Sequence, residues 1–144
     1  MTELRVTALD RADLDELVDV VAAAGLPVSD LAEPGRLFLR FDDEVLAGFG
    51  GIEGDGPDRL LRSLVVVPNR RGDGLGRAML GLLEPLAREL GVTRLHLLTN
   101  TAAPFFAANG YAAADRVNAP ALIAASCEFT ALCPASAAYL VKAL

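Results

Sequence analysis

Three glycines and two adjacent arginines follow an apolar segment near the middle of the chain, in the stretch VPNRRGDGLGRAML that begins at Val67. Because glycine has no Cβ atom, Gly72, Gly74 and Gly76 allow several backbone N–H groups to point into one concavity. A helix predicted directly after them adds the unsatisfied amides of its first turn and the positive end of its dipole. Backbone amides in this arrangement bind phosphate oxygens. The same stretch also fits a simple tight turn, or an exposed adhesion-type loop built on its Arg-Gly-Asp tripeptide.

The glycine spacing separates this loop from the two commonest nucleotide-binding motifs. It is G-x-G-x-G, whereas the dinucleotide fingerprint is G-x-G-x-x-G and the P-loop ends in Lys-Ser or Lys-Thr. Arg71 and Arg77 flank the loop and offer charge-assisted hydrogen bonds to a pyrophosphate or a nucleotide 3′-phosphate, unless they are only solvated surface residues. A helix beginning immediately after Asp73, and no recognisable secretion signal, argue against an adhesion loop.

Hydrophobic periodicity predicts the elements that position this loop. Residues 60–67 end in a β-branched run typical of a central strand, which Pro68 stops. An apolar stripe from Leu75 to Leu90 predicts a long helix closed by Gly91. Further strands are predicted at 4–8, 36–41, 44–52 and 94–99, and further helices from Asp10 or Asp13 to Gly25 and at 102–109.

Three stretches are harder to interpret. Residues 28–34 fit a short helix or a loop, and 119–126 fit one or two helical turns. AAYLVKAL at the end fits either a last strand or a helix, and it is assigned to a strand because a mixed sheet needs a final partner. The glycines of the 44–52 strand are expected to weaken it.

Composition restricts the class of protein. A chain of 144 residues that is 53% hydrophobic is the size of one domain, 1–144, with ample material for a core. A net charge of −6 without a basic cluster makes nucleic acid an unsuitable partner. The N-terminal residues lack the pattern of a secretion signal, and no apolar run approaches the about 20 residues of a membrane span. A cytoplasmic protein is expected.

The loop and its surroundings resemble the Gcn5-related N-acetyltransferase (GNAT) superfamily. That superfamily carries V-x-P-x-x-[RQ]-G-x-G-[IL]-G between its fourth strand and third helix, and a second block, N-x-x-A-x-x-F-Y-x-x-x-G-F. The first block is matched by Val66 or Val67 together with Pro68, Arg71, Gly72, Gly74, Leu75 and Gly76. The second is matched in spacing by Thr99, Ala102, Phe105, Phe106, Gly110 and Tyr111.

More narrowly, the chain looks like acetyltransferases encoded beside arsenic-resistance genes. The segments that carry this likeness are LLRSLVV, LLTNTAAPFF, and a tail with SCEF at 126–129 and LCP at 132–134. The resemblance implies an acetyl-CoA-dependent protein without identifying the amine that accepts the acetyl group.

The resemblance implies an α+β fold in which helices flank a mixed, mostly antiparallel and splayed sheet. The pyrophosphate of coenzyme A is expected on the amides of residues 72–77, which include Asp73, and the pantetheine arm along Val65, Val66 and Val67. Thr99, Asn100 and Phe106 complete the expected cofactor contacts. No metal is expected, and homodimers are common in the superfamily.

Two positions depart from the family pattern. The asparagine after the fifth strand is replaced by Thr99, although Asn100 is adjacent. The tyrosine often proposed to protonate the departing thiolate is replaced by Phe106, which carries no proton to donate. The family's usual general acid is therefore absent, and a non-catalytic CoA-binding sensor is the alternative to an N-acetyltransferase.

Acetyl transfer requires a neutral amine and a group that accepts its proton. The candidate bases are Glu53, at the end of the third strand, and Glu128. Glu128 lies in an apolar stretch, where an unpaired charge would be costly. Either could equally be a solvated surface carboxylate. Arg62 and Ser63 lie in an apolar strand, and one of them is expected to face the acceptor, where an arginine suits an anionic group.

Four further side chains have a reactive group but a simpler explanation. His96 is the only histidine and lies between leucines, so a packed core imidazole is expected rather than a base. Tyr139 is either a replacement acid or a packing residue. Cys127 and Cys133 are expected to be reduced and buried, although two thiols brought close together would bind trivalent arsenic.

Overall fold

The computed structural model describes residues 3–10, 13–26, 28–31, 35–126, 129 and 137–144. Within them, seven strands form one sheet in the order β1-β2-β3-β4-β5-β7-β6. The strands are β1 (Arg5–Ala8), β2 (Arg36–Asp42), β3 (Leu46–Glu53), β4 (Asp58–Val66), β5 (Arg94–Thr99), β6 (Ala112–Ala113) and β7 (Ala138–Ala143). The α-helices are α1 (Leu14–Ala23), α2 (Leu75–Glu89), α3 (Ala103–Ala108) and α4 (Ala121–Ala124). This is the mixed, mostly antiparallel sheet with flanking helices that the resemblance implies.

The sheet splits between β4 and β5, its one parallel pair among the described strands. These strands pair only from Asp58 to Leu60 and from Arg94 to His96, and then diverge. Beyond Leu60, no strand among the described residues lies beside the edge of β4 that faces β5. The split therefore leaves backbone hydrogen-bonding groups of β4 available to a ligand, since strand edges present unpaired N–H and C=O groups.

Apolar clusters cover the two faces of the sheet. On one face, α2 buries Met79, Leu80 and Leu83 against residues of the central strands such as Leu61 and Leu97. On the other face, Leu17 and Val21 of α1 pack against Phe38, Phe49 and Val65. These two layers hold β4 at the centre of the molecule, and the loop after β4 leads directly into α2.

A β-bulge bends β4 in its middle. Phe49 pairs with Val65 and Gly51 pairs with Arg62, so that Ser63 and Leu64 together oppose the single residue Gly50. Ser63 has φ of +56°, a left-handed conformation uncommon for a residue other than glycine. Bulges of this kind redirect side chains and increase the local twist of a strand.

The glycines of β3 do not weaken this strand as the sequence suggested. β3 is continuous from Leu46 to Glu53, and all of it except its first residue is buried. A Cβ atom on Gly48 would lie 2.0 Å from the carbonyl oxygen of Val65, and one on Gly51 would lie 2.8 Å from the Phe38 ring. Glycine is therefore required here by close packing.

Most predicted elements match the structure to within two residues at each end. The final strand, assigned from the need for a sheet partner, is β7, which pairs with β5 over its whole length. Asp13 occupies the N-cap position of α1, but its side chain makes no capping hydrogen bond. Residues 28–31 have no regular helix, and the 119–126 segment contains only the short α4.

Candidate functional site

A cleft of about 890 Å³ opens where β4 and β5 diverge. One wall is β4 from Leu61 to Val66, and the other is β5 from Leu97 to Thr99. The glycine loop closes one end, and residues 24–26, directly after α1, form another part of the lining. Its position between two separated strands makes it a groove in which an extended molecule can lie alongside β4.

The glycine loop presents backbone amides rather than side chains. Gly72 and Gly74 have φ of +91° and +73°, and added Cβ atoms at these positions would meet nothing within 4 Å. The first helical hydrogen bond of α2 joins the Ala78 amide to the Gly74 carbonyl. Within the described part of the chain, the amides of residues 72–77 donate no hydrogen bond. Six successive donors are thus available for phosphate oxygens, as the sequence predicted.

Two arginines of the loop face the cleft, and a third holds the loop in place. Arg71 and Arg77 line the cleft and are exposed, so both can reach a phosphate. Arg70 also contributes to the lining, but its Nη1 and Nη2 atoms donate to the two carboxylate oxygens of Asp43 at 2.6 and 2.7 Å. This hydrogen bond lowers the pKa of Asp43 and raises the pKa of Arg70, so both groups stay charged.

The residues expected to contact the cofactor beyond the loop also line the cleft. They are Val65, Val66, Leu75, Thr99, Asn100 and Phe106. Val67 follows β4 but is not part of this lining, because its amide turns away to bond the Ala47 carbonyl at 2.9 Å. The Thr99 hydroxyl accepts a hydrogen bond from the Ala102 amide at 3.0 Å and so holds the turn that precedes α3.

Packing fixes the aromatic residues of α3 against the glycine loop. A Cβ atom on Gly76 would lie 3.0 Å from the ring of Phe105. Phe105 and Phe106 pack edge to face, with ring centroids 5.1 Å apart. Gly76 therefore allows close approach between α2 and α3, which is a different role from that of the two loop glycines with positive φ.

Arg62 lines the cleft, but its charge is already satisfied by protein carboxylates. Its guanidinium donates to both oxygens of Asp30 at 2.5 and 2.7 Å and to Glu53 at 2.8 Å. The side chain has no solvent exposure. This geometry does not support the sequence-based expectation that Arg62 holds an anionic acceptor, because the carboxylates of Asp30 and Glu53 already accept its hydrogen bonds. Ser63 lines the cleft beside it, at the bulge.

Glu53 was expected as a candidate base, and the structure places it elsewhere. It is 7% exposed, bonded to Arg62, and is not among the cleft-lining residues. Glu128, the other candidate base, lies outside the described residues, as do Cys127 and Cys133.

His96 and Tyr139 form a buried polar chain with Asp58. The ring nitrogens of His96 lie 2.6 Å from the Tyr139 hydroxyl and 2.7 Å from a carboxylate oxygen of Asp58. His96 is 1% exposed and Tyr139 is 5% exposed, and neither lines the cleft. His96 is thus the packed imidazole that the sequence predicted, and Tyr139 has a structural bond rather than a position beside the reacting atoms.

The described residues that line the cleft include no carboxylate, imidazole, phenol or thiol. Tyr111 also does not serve as the missing acid, because it donates to Glu84 at 2.9 Å and burial raises the pKa of its phenol far above the usual value. The part of the chain that the structure describes therefore places no side chain suited to proton transfer in the cleft.

The described residues contain no group of three or more His, Cys, Asp or Glu side chains suited to a metal ion. Among them, no helix combines the length and the apolar character needed to cross a bilayer.

Comparison with known proteins places these features in a family. Residues 2–111 match the family model described as the acetyltransferase (GNAT) family. No curated protein sequence matches the chain.

Solved structures with similar folds include proteins crystallised with coenzyme A. N-acetylglutamate synthase from Neisseria gonorrhoeae, complexed with coenzyme A and L-arginine, is 17% identical with a TM-score of 0.80, covering 100% of this chain and 34% of its own. A Mycobacterium tuberculosis protein in complex with CoA and NLQ is 17% identical with a TM-score of 0.77, covering 97% and 99% of the two chains.

A GNAT-family acetyltransferase from Staphylococcus aureus Mu50 is 16% identical with a TM-score of 0.78, covering 98% of this chain and 99% of its own. This chain spans about a third of the N-acetylglutamate synthase. At these identities the similarity shows a shared fold.

Proposed function

The chain belongs to the acetyltransferase (GNAT) family, and from that premise we propose that it is an acetyl-CoA-dependent N-acetyltransferase acting on a small amine. The observation that carries the proposal is the row of six amides, residues 72–77, at the mouth of the cleft between β4 and β5. Such a row suits a pyrophosphate, and the open edge of β4 suits the extended amide-bearing arm attached to it.

Acetyl-CoA, when bound, supplies the acetyl group as a thioester, an activated acyl donor. The described residues would bind and orient this donor. Arg71 and Arg77 add charge-assisted bonds to phosphate, and the edge of β4 that faces the cleft offers backbone hydrogen bonds beyond Leu60. Positioning alone contributes substantially to such a reaction, since a well-oriented pair of reactants avoids most of the entropic cost of meeting.

The amine loses a proton when it is acetylated, and a group other than the described cleft residues must accept that proton. We propose that Glu128 or solvent takes it, because the described cleft residues include no titrating side chain of suitable chemistry. Thiolate is a tolerable leaving group, so the phenylalanine at 106 is compatible with turnover.

We further propose that the acceptor is an amine that is modified in arsenic or xenobiotic resistance. The sequence resemblance is the only support for this part of the proposal. A cytoplasmic location and a homodimer are part of the same proposal.

Two measurements test the function. Isothermal titration calorimetry with acetyl-CoA should give saturable binding, and no binding at millimolar acetyl-CoA would rule out the proposal. A thiol-release assay should then show acetylation within a panel containing polyamines, aryl amines, amino acids and amino-acid-like arsenicals.

A non-catalytic CoA-binding sensor is the second candidate, favoured by Phe106 and by the absence of titrating groups among the described cleft residues. It predicts saturable acetyl-CoA binding without thiol release for every amine in the panel. Robust turnover with any amine would dismiss it.

A further inference from the structure

Four charged side chains form a buried cluster on the face of the sheet that α1 covers. They are Asp30, Arg36, Glu53 and Arg62, and their side chains are 4%, 10%, 9% and 0% exposed. Two carboxylates and two guanidinium groups give the cluster no net charge. Burying four charges is costly unless they are paired and hydrogen-bonded, so their arrangement needs a specific explanation.

Three members of the cluster belong to neighbouring strands. Arg36 of β2 lies opposite Glu53 of β3, and Arg62 of β4 lies opposite Gly51, two residues before Glu53. Asp30 is the exception, because it comes from the connection between α1 and β2. The paired hydrogen bonds between Asp30 and Arg62 therefore join this connection to the central strand.

The connection begins at the wall of the cleft. Residues 24–26, directly after α1, line the cleft together with Arg62 and Ser63. Asp30 lies four residues further along, and its other bond is to Arg36 at 2.9 Å. Asp30 thus joins a residue close in sequence to this wall to both β4 and β2.

Directional bonds fix this relationship more sharply than apolar contact does. Leu31 also anchors the connection, through the apolar cluster with Leu17 and Phe38. Apolar packing is non-directional, whereas the two parallel bonds of a guanidinium and a carboxylate fix both distance and orientation. The ion pair therefore fixes the orientation of Asp30 relative to β4, and Leu31 adds apolar burial beside it.

We propose that Arg62 is a positioning residue for the acceptor: through Asp30 it fixes the wall of the cleft at residues 24–26 and thereby sets the fit of the amine. The inference rests on the proposed function, and it replaces the idea that Arg62 holds an anionic acceptor itself. Acetyl-CoA binds at the loop and along β4, so its affinity should be largely independent of this pair.

The test compares Asp30→Asn, Arg62→Met and the double variant with the unaltered protein. The control is Arg5→Met, which removes an exposed ion pair with Asp42. For the panel amine acetylated fastest, each single variant should raise KM by roughly tenfold or more, because small misplacements of a bound reactant have large effects. The dissociation constant for acetyl-CoA should stay within about twofold.

The double variant separates positioning from simple charge balance. Each single variant leaves an unbalanced buried charge, whereas the double variant returns the cluster to zero net charge. Its melting temperature should recover toward that of the unaltered protein, while its amine KM stays raised. Recovery of KM together with melting temperature, or an unchanged KM in the single variants, would overturn the proposal.

Hydrogen exchange provides a readout that needs no acceptor. With acetyl-CoA bound, Asp30→Asn should speed amide exchange in a peptide covering residues 21–31, while exchange in α2 stays unchanged. Equal exchange in that peptide would also overturn the proposal. If no amine is acetylated but exchange is faster, the proposed function fails and the positioning of residues 24–26 by this pair is retained.

Discussion

At the scale of single residues, the shape of the glycine loop depends on backbone conformation. Gly72 and Gly74 both adopt positive φ, which residues with a side chain adopt only at a cost. Their Cβ positions face open space, so the requirement for glycine there is conformational rather than steric. Gly76 differs, because an added Cβ atom would lie 3.0 Å from the Phe105 ring, which would have to shift to accommodate it.

Gly72→Ala should weaken acetyl-CoA binding by about tenfold or more. An alanine is strained at this positive φ, and if the backbone relaxes to relieve the strain, the amides of the loop turn away from one another. Gly91→Ala is the matched control: Gly91 also has φ of +91° with nothing within 4 Å, but it follows the far end of α2. Both variants should lose about 1 kcal/mol of unfolding free energy, and calorimetry should show weaker binding only for Gly72→Ala. Equal affinities in the two variants would contradict the assigned role of the loop.

At the scale of elements, the glycine loop is tied to the β2–β3 hairpin. Arg70 donates to both oxygens of Asp43 and to the Val45 carbonyl, all of which lie in the turn of that hairpin. The loop is therefore supported from outside the β4–α2 segment, and the hairpin is expected to limit its motion.

Arg70→Gln and Asp43→Asn should weaken acetyl-CoA binding to a similar, severalfold extent, and the double variant should be little worse than either. Such non-additivity is typical of two residues that act through one interaction. A double-mutant cycle of dissociation constants measures it. If Arg70 instead binds phosphate directly, Arg70→Gln alone will weaken binding and Asp43→Asn will not.

The hydrogen-bonded chain of Asp58, His96 and Tyr139 stabilises the sheet at the end of the cleft where β4 and β5 are still paired. These residues belong to β4, β5 and β7, the three strands that meet just before the split. Asp58 also pairs with Arg94 at 2.8 Å. The chain holds the strands together at the point where the sheet begins to open, which gives the single histidine a structural role.

At the scale of the whole molecule, buried carboxylates should make the fold sensitive to acid. Burial raises the pKa of Asp30, but hydrogen bonds from Arg62 and Arg36 outweigh it, so that this pKa lies below the ordinary 3.8. For Asp58, burial is likewise outweighed by hydrogen bonds from His96 and Arg94. A carboxyl group with a lowered pKa in the folded state stabilises the protein above its unfolded pKa.

The free energy of unfolding should therefore be independent of these two groups above about pH 5 and fall as the pH drops through 3.8 and below. Urea unfolding at a series of pH values measures this slope. Asp58→Asn should be less stable at pH 7 and show a shallower loss toward pH 3. An unchanged slope in this variant would show that Asp58 does not contribute.

The sequence by itself determined the features that depend on contiguous residues, above all the glycine loop. The strand, Pro68, the glycine loop and α2 are contiguous, so residue types alone dictate that the loop presents amides at a helix N-terminus. The final strand was predicted correctly because a mixed sheet needs a final partner, although the segment taken by itself also fitted a helix. The spacing of the two sequence blocks also identified the family.

Only the tertiary structure decided the partners of the charged residues. Asp30 and Arg62 are 32 positions apart in sequence, and nothing in the residues around either one indicates the other. Arg62 and Glu53, expected at an acceptor site, instead bond to each other. Side-chain pairing across a sheet depends on register, on the bulge at Ser63 and on the packing of α1, which are long-range properties that short stretches of sequence do not encode.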